Sequence, residues 1–395
     1  MTSAVTGQRT NFVLLAITYF LYFGQLGVLV PYLGVFLDGR GFSSAEIGEL
    51  FAIITIARIL GPNLWASMAD KSGKGLNVLR FGCLLTACTF CLVFFFDGFW
   101  GITVPFALMM MFWTAVLPQL EVLTMNTVNS NATKYSQIRL WGSIGFICLT
   151  IVAGQSIDVF SSEAPVVVSA VVLSALFLST LTLKEPKVER PNAQELGSIW
   201  REAKSPVFFA FIVSALLLQV SFGTYYGFFA LYMLDLGYSG QQTGWLVALG
   251  VAAEVVIFLL AGRLISIMGV KWVLVASLLL TAIRWLALAH YPDSVVIVVL
   301  SQVLHAFSFG LTHAASVHFI HHFFSKQFHS RGQALYVSLA FGVGGAIGNY
   351  SAGLMWQDGK GAYLSFMVSF AAACLSALVL LCISRQSMEQ RASAC

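Results

Sequence analysis

Arg58, Glu121, Arg139, Glu254, Arg284, His305 and His313 are ionisable residues set inside otherwise apolar stretches. A charge at bilayer depth is costly unless it is paired or faces water, so such residues mark binding or proton chemistry by default. The types suit both tasks. A buried carboxylate beside an Arg or His can take up and release a proton, because burial raises its pKa and the neighbouring cation lowers it. An Arg offers a planar fork that matches a carboxylate ligand.

Depth follows from counting along helices at about 1.5 Å per residue. Glu254 and Arg284 each lie 15 residues from Gly269. They therefore stand level on adjacent antiparallel helices, about 22 Å from the turn. Arg284 and His305 are nearly level across the next turn, and Arg58 is 15 residues from its own turn at Gly73. Glu121 and Arg139 are each nine residues from Ser130. Two clusters are expected: Glu121 with Arg139, flanked by Arg58, and Glu254 with Arg284 and His305. His313 lies two turns beyond His305, about 80° round the helix. It either shares the proton-coupling face or is a polar packing residue. Arg58, Arg139 and Arg284 outnumber Glu121 and Glu254 by one charge, which a monoanionic substrate would balance. Phe146, Tyr225, Tyr226 and Trp285 stand near the same helices and could stack on an arene.

The elements that carry these residues are membrane helices. The 395 residues are 58% hydrophobic and 10% charged, against about 25% charged in soluble domains, and mean hydropathy is +0.84. Apolar segments of about 20 residues, enough to cross a bilayer, recur throughout. The fold class expected is an all-α membrane protein of twelve transmembrane helices in two six-helix bundles. The helices are read at 12–36, 46–69, 76–96, 101–124, 137–159, 164–183, 206–233, 241–266, 270–290, 294–320, 332–356 and 362–384. The domains are 1–183, a linker at 184–205 with nine charged residues and two prolines, and 206–395.

The halves read as copies. GFSSAEIGEL from Gly41 matches GYSGQQTGWL from Gly237, 196 residues later, as in transporters built from internal repeats. At that offset Arg58 corresponds to Glu254. The excess of Lys and Arg, from Arg9 and Lys71 to Arg385 and Arg391, falls on one side, with Arg40 and Lys360 on the other. The positive-inside rule then places both termini in the cytoplasm. The net charge of +4 says little about nucleic acid, because the basic residues lie between helices, and no nucleic-acid partner is expected. The cysteines within the apolar segments lack metal-ligand spacing and read as packing residues. His318, His321 and His322 have helical ligand spacing but no accompanying carboxylate, so no metal is expected.

Asp70, Lys71, Gly73 and Lys74 resemble the signature loop of the major facilitator superfamily, with Ala66 at the usual leading glycine. YSQIRLWGSIGF (135–146), YYGFFALYMLDLGYSGQQTGWLVALGVAAEVVIF (225–258), AIRWLALA (282–289) and SQVLHAFSFGLTHAASVHFI (301–320) resemble the lactose-permease branch, and more closely the bacterial 3-phenylpropionate permease-like proteins. The resemblance spans essentially the whole chain. It implies the major facilitator superfamily fold and proton-coupled symport in a bacterial inner membrane. It also implies substrate contacts at Glu121, Arg139 and Glu254, with Arg284 and His305 in proton coupling. The permease pattern has a Glu where this chain has Ser308, so Glu254 or His305 must carry the proton, or the coupling differs.

The function expected is import of a small organic solute with protons, an aromatic carboxylate such as 3-phenylpropionate fitting best. The candidate substrate residues are Glu121, Arg139, Phe146, Tyr225, Tyr226 and Glu254. Those for proton coupling are Glu254, Arg284, His305, Arg58 and His313. A sugar or nucleoside symporter is the alternative, followed by a drug/proton antiporter, whose cationic cargo would suit a negative cavity. The remaining expectations are no enzyme motif, no cofactor beyond the proton, membrane lipid as a partner, and a monomer.

Overall fold

The computed structural model describes residues 2–72, 74–184 and 199–389. Among them there are helices and no strand. The 185–198 part of the expected linker lies outside the described residues, as do Gly73 and the side chains of Asp70 and Lys71 in the signature loop.

In chain order the helices are α1 (Thr2–Gly39), α2 (Ser44–Ser72), α3 (Gly75–Cys91), α4 (Gly98–Trp113), α5 (Val116–Thr127), α6 (Ala132–Val159), α7 (Ala164–Thr182) and α8 (Trp200–Ala203). They continue with α9 (Pro206–Ser221), α10 (Gly223–Asp235), α11 (Gly240–Met268), α12 (Val270–His290), α13 (Val295–His305), α14 (Thr312–Phe323), α15 (His329–Tyr336), α16 (Gly345–Trp356), α17 (Ala362–Leu381) and α18 (Arg385–Glu389). Several expected single helices are interrupted. The 101–124 rod breaks between α4 and α5, and the 206–233 rod breaks at Phe222. π segments at Ala306–Leu311 and Val337–Gly344 join α13 to α14 and α15 to α16. Among the described residues, 10 helical rods are long and apolar enough to cross a membrane, where the sequence suggests twelve. Absent from that set are α2, whose last turns carry side chains outside the description, and the 329–356 rod, which Gly342, Gly344, Gly345, Gly348 and Asn349 dilute.

The repeated segments are one device used twice. Gly41 and Gly237 adopt φ +80° and +86°, a left-handed conformation that favours glycine. Two residues later Ser43 and Ser239 open α2 and α11 with capping boxes. Ser43 N donates to Glu46 Oε2 and Ser239 N to Gln242 Oε1, each at 2.9 Å. The serine hydroxyls accept from the amides of Glu46 (3.4 Å) and Gln242 (3.1 Å).

Two compact units result, one of Met1–Phe42, Ile53–Pro191 and Tyr238–Ala248, the other of Ser43–Ala52, Asn192–Gly237 and Leu249–Cys395. In the first, α1 packs on α6 and α7, and α3 on α4, α5 and α7. Thr18 and Ser179 hydroxyls meet at 3.2 Å across α1 and α7. The second unit repeats the seam between α9 and α17, where the Ser214 and Ser376 hydroxyls are 2.9 Å apart. Ser214 lies 196 residues after Thr18. Arg40 closes one end of the first unit. Its guanidinium donates to Asp97 at 2.8 Å and to both oxygens of Glu163, tying α1 to the first turns of α4 and α7.

Helix C-termini leave carbonyls without partners, and a cation satisfies them best. Arg80 of α3 donates to the carbonyls of Thr180 (3.1 Å), Leu181 (3.2 Å) and Leu183 (3.0 Å) at the C-terminal end of α7. Lys271 of α12, buried at 6% exposure, does the same for Leu381 (3.3 Å) and Ile383 at the end of α17. Lys271→Met should therefore cost about 1–3 kcal/mol. The readout is the melting temperature of the detergent-solubilised protein, and an unchanged value would mean that the ammonium is not the effective cap.

Candidate functional site

In the second unit the expected trio converges, in an order that counting could not supply. α11 carries Glu254, α12 Arg284, and the last residue of α13 is His305. His305 Nε2 lies 2.8 Å from Glu254 Oε1, and Arg284 Nη1 lies 3.0 Å from His305 Nδ1. His305 is the centre of the chain, and no Glu254–Arg284 ion pair occurs among the described residues. All three are buried, Arg284 at 0% exposure.

The donor inventory fixes the protonation pattern of this arrangement. A guanidinium has donors only, so Nδ1 must accept from Arg284. Nε2 then carries the proton and donates to the Glu254 carboxylate. The imidazole is then neutral, with both its nitrogens used.

Aromatic rings hold the chain in place. The Arg284 guanidinium carbon lies 4.2 Å from the Tyr225 ring centroid and 4.4 Å from that of Trp285, both cation–π distances. Tyr225 OH donates to Gln302 Oε1 at 2.8 Å, and Trp285 Nε1 donates to Ser221 Oγ at 3.2 Å. Arg284 Nε and Nη2 have no hydrogen-bond partner. Of the two tyrosines expected at the substrate, Tyr225 lies against the Arg284 guanidinium, while Tyr226 stacks on Phe222 at 5.3 Å. Gly310 gives Glu254 room, since a Cβ there would stand 3.4 Å from Glu254 Cγ and 2.8 Å from Ile257 Cγ2.

His313 is not carried 80° round the rod. A π residue turns the chain less than an α residue, and Ala306–Leu311 is π. His305, Phe309 and His313 consequently form a stacked ladder, with ring centroids 5.9 Å apart at 5° and 6.1 Å apart at 7°. Tyr336 and Phe341 complete an aromatic surround for His313, whose Nδ1 is buried with no partner. Ser308, standing where the permease pattern has Glu, donates instead to the Leu304 carbonyl at 3.0 Å. Thr312 donates to carbonyls at the same widened turn, Phe307 among them at 3.0 Å.

The expected pair in the first unit is not a contact. Among the described residues no ion pair joins Glu121 to Arg139. Arg139 on α6 instead stacks its guanidinium on Phe23 of α1, 3.7 Å from the ring centroid, with Tyr19 at 6.0 Å. Glu121 on α5 accepts from Tyr135 OH at 3.3 Å. Gly142, one turn after Arg139, makes the stack possible. A Cβ there would come within 2.5 Å of Phe23 Cδ2 and 3.0 Å of Arg139 Nη1. Tyr22 stacks on Trp113 at 4.3 Å and 7°, and lies within electrostatic reach of Arg58, Glu121 and Arg139. Arg58 itself is exposed, with no carboxylate at ion-pair distance among the described residues. Phe146 is half-buried two turns beyond Arg139, on the same face of α6.

Tyr19, Tyr22, Phe23, Tyr135, Gln302 and Phe309 were not singled out by sequence reasoning. The signals were there: an aromatic run at 19–23, Tyr135 one turn before Arg139, and Gln302 and Phe309 one turn either side of His305. No group of three His, Cys, Asp or Glu able to hold a metal occurs among the described residues. His322 Nε2 contacts the Glu389 carbonyl at 2.7 Å, and the His321 and His329 rings lie 4.4 Å apart.

A family model described as MFS_1 like matches residues 12–368. Over 355 residues the chain is 28% identical to a probable 3-phenylpropionic acid transporter of Escherichia coli (strain K12), covering 87% of this chain and 90% of that protein. It is 25% identical over 378 residues to a maltose permease of Geobacillus stearothermophilus, covering 94% and 95% respectively. Its fold is similar to the crystal structure of the nucleoside transporter NupG, with TM-score 0.79, 19% identity, and 95% of this chain and 98% of that chain covered.

Proposed function

The chain belongs to the MFS_1-like family of the major facilitator superfamily, and from that premise we propose a proton-coupled symporter that imports an aromatic carboxylate of the 3-phenylpropionate kind. The coarser part is plain: it is a multi-pass membrane transporter of small solutes. The observation that carries the finer part is the buried chain Glu254–His305–Arg284. With both imidazole nitrogens occupied, Glu254 is the proton acceptor. Protonation removes the negative end of the chain and leaves the Arg284 charge uncompensated, which couples the proton to a change of conformation. The substrate site and the proton site then alternate in exposure by rocking of the repeats. His313, at the end of the ring ladder, is the next protonatable group.

The substrate class is supported by Arg139. Its cation rests on Phe23, leaving the guanidinium edge for a carboxylate, and the half-buried rings of Phe23 and Tyr135 provide aromatic surface. Arg58 and Glu121 flank this site, with Phe146 on its α6 face. The charge surplus of one Arg suits a monoanion, and a relative carries a phenylpropionic acid name. A sugar or nucleoside is the second reading, favoured by the maltose permease relative. Both readings place the protein in a bacterial inner membrane with cytoplasmic termini, working as a monomer without a cofactor.

The test uses proteoliposomes with an internal pH dye. Addition of 3-phenylpropionate should acidify the lumen as proton and solute enter together, whereas maltose and uridine should not. Alkalinisation of the lumen would indicate antiport. A response to maltose or uridine alone would replace the substrate class but leave symport standing.

A further inference from the structure

A guanidinium carries its N–H donors in one plane, and the Nε and Nη2 donors lie parallel on one edge of it, the spacing that meets both oxygens of a carboxylate. In Arg284 the opposite corner is taken, because Nη1 meets His305 Nδ1 at 3.0 Å. Nε and Nη2 are buried without a partner, and no carboxylate lies at ion-pair distance from them among the described residues. A buried donor left unmatched is costly, so an enclosed pair of them points to a ligand. The fork is held in place. Tyr225 and Trp285 pack on the guanidinium at 4.2 and 4.4 Å. Tyr225 OH is fixed by Gln302 Oε1 at 2.8 Å, and Gln302 Nε2 donates in turn to Ser301 Oγ at 3.0 Å.

The charges around the fork decide when it can be filled. The titratable groups within electrostatic reach of Arg284 are Tyr225 and Tyr226 of α10, Glu254 of α11 and His305 of α13. His313 of α14 acts on Glu254. α9 and α17, packed beside these helices, carry no Lys, Arg, Asp or Glu. With Glu254 ionised and the fork unliganded, the cluster is neutral. A proton on Glu254 alone leaves one buried positive charge, and a monocarboxylate on the fork alone leaves one buried negative charge. Each is unfavourable by itself, and the two together restore neutrality.

We propose that Nε and Nη2 of Arg284 form a carboxylate site that fills only when Glu254 is protonated, so that one proton and one monocarboxylate serve as each other's counter-charge. The proposal rests on the reading of Glu254 as proton acceptor given above. The site is built by the second unit alone and does not involve Arg139. In this conformation it is closed, with Arg284 at 0% exposure. Tyr225, which covers it, stands three residues past Phe222, where the rod of α9 and α10 breaks. A hinge is thus placed beside the cover.

The experiment is calorimetric titration of the full-length protein in detergent with sodium propionate, near neutral pH, in two buffers of different ionisation heat. The difference in heat reads the protons taken up on binding. The parent should take up about one proton per propionate, and its affinity should fall about tenfold for each unit of rising pH. Glu254→Gln should bind propionate with no proton uptake and no such pH dependence, because the counter-charge is already removed. Arg284→Lys, which keeps the charge and loses the fork, should bind at least about tenfold more weakly. Sodium chloride, a point anion, should also bind the parent at least about tenfold more weakly than propionate. No binding of propionate, binding without proton uptake in the parent, uptake retained in Glu254→Gln, or chloride matching propionate would each overturn the carboxylate site. Glu254→Gln keeps the test readable if Arg284→Lys does not fold. Lumenal acidification in proteoliposomes without proton uptake here would remove the fork and leave symport standing, and the converse would leave the fork standing alone.

Discussion

Glu254→Gln should abolish proton-driven accumulation while sparing exchange of substrate across the membrane. The substitution is nearly isosteric, and the amide oxygen can still accept from His305 Nε2, so the 2.8 Å contact is retained. What disappears is the carboxylate proposed to carry the proton. One proton per solute across a one-unit pH difference supports at most about a tenfold concentration ratio, because one pKa unit is worth ~1.36 kcal/mol. The parent should approach that ratio in proteoliposomes, and the variant should stop at equal concentrations. Counterflow, which needs only binding and reorientation, should continue. Accumulation by the variant at the parental level would remove Glu254 as the carrier and pass the role to His305 or His313. His305→Ala should behave differently. It strands Arg284, which is fully buried and has Nε and Nη2 without partners already. Leaving a buried charge uncompensated costs about 3–5 kcal/mol, so this variant should lose thermal stability as well as transport. A melting curve like that of the parent would mean that Arg284 finds another partner.

Arg139→Lys should weaken binding of 3-phenylpropionate roughly 10- to 100-fold, the equivalent of a charged hydrogen bond worth about 1.5–3 kcal/mol. Two properties of the guanidinium are at stake. Its plane lies on Phe23 at 3.7 Å, and its edge presents a fork to a carboxylate. A lysine ammonium keeps the charge and loses both. Isothermal titration on purified protein reads the change directly. Unchanged affinity would mean that Arg139 is a structural cation on an aromatic platform. Gly142→Val offers a separate handle, because its side chain would occupy the space of the Phe23 ring. It should reproduce the loss of affinity with Arg139 intact.

The amino-acid sequence by itself determined the class of the molecule and the height of its charges. Apolar runs of bilayer length admit little besides helices, and helical rise turns residue counts into depth, so Glu254, Arg284 and His305 were legible as a level group. The duplication was legible for an equally local reason: a positive-φ glycine followed by a capping box is written in consecutive residues, at Gly41 to Glu46 and again at Gly237 to Gln242. Only the tertiary structure decided what each charge touches, because contact depends on rotation about the helix axis, which depth does not fix. Glu121 and Arg139 are level yet apart, since Gly142 lets Phe23 in beside the guanidinium. Glu254 and Arg284 are level yet joined through His305. The π turn at Ala306–Leu311 brings His313 into line with His305, where an α-helix would have turned it away.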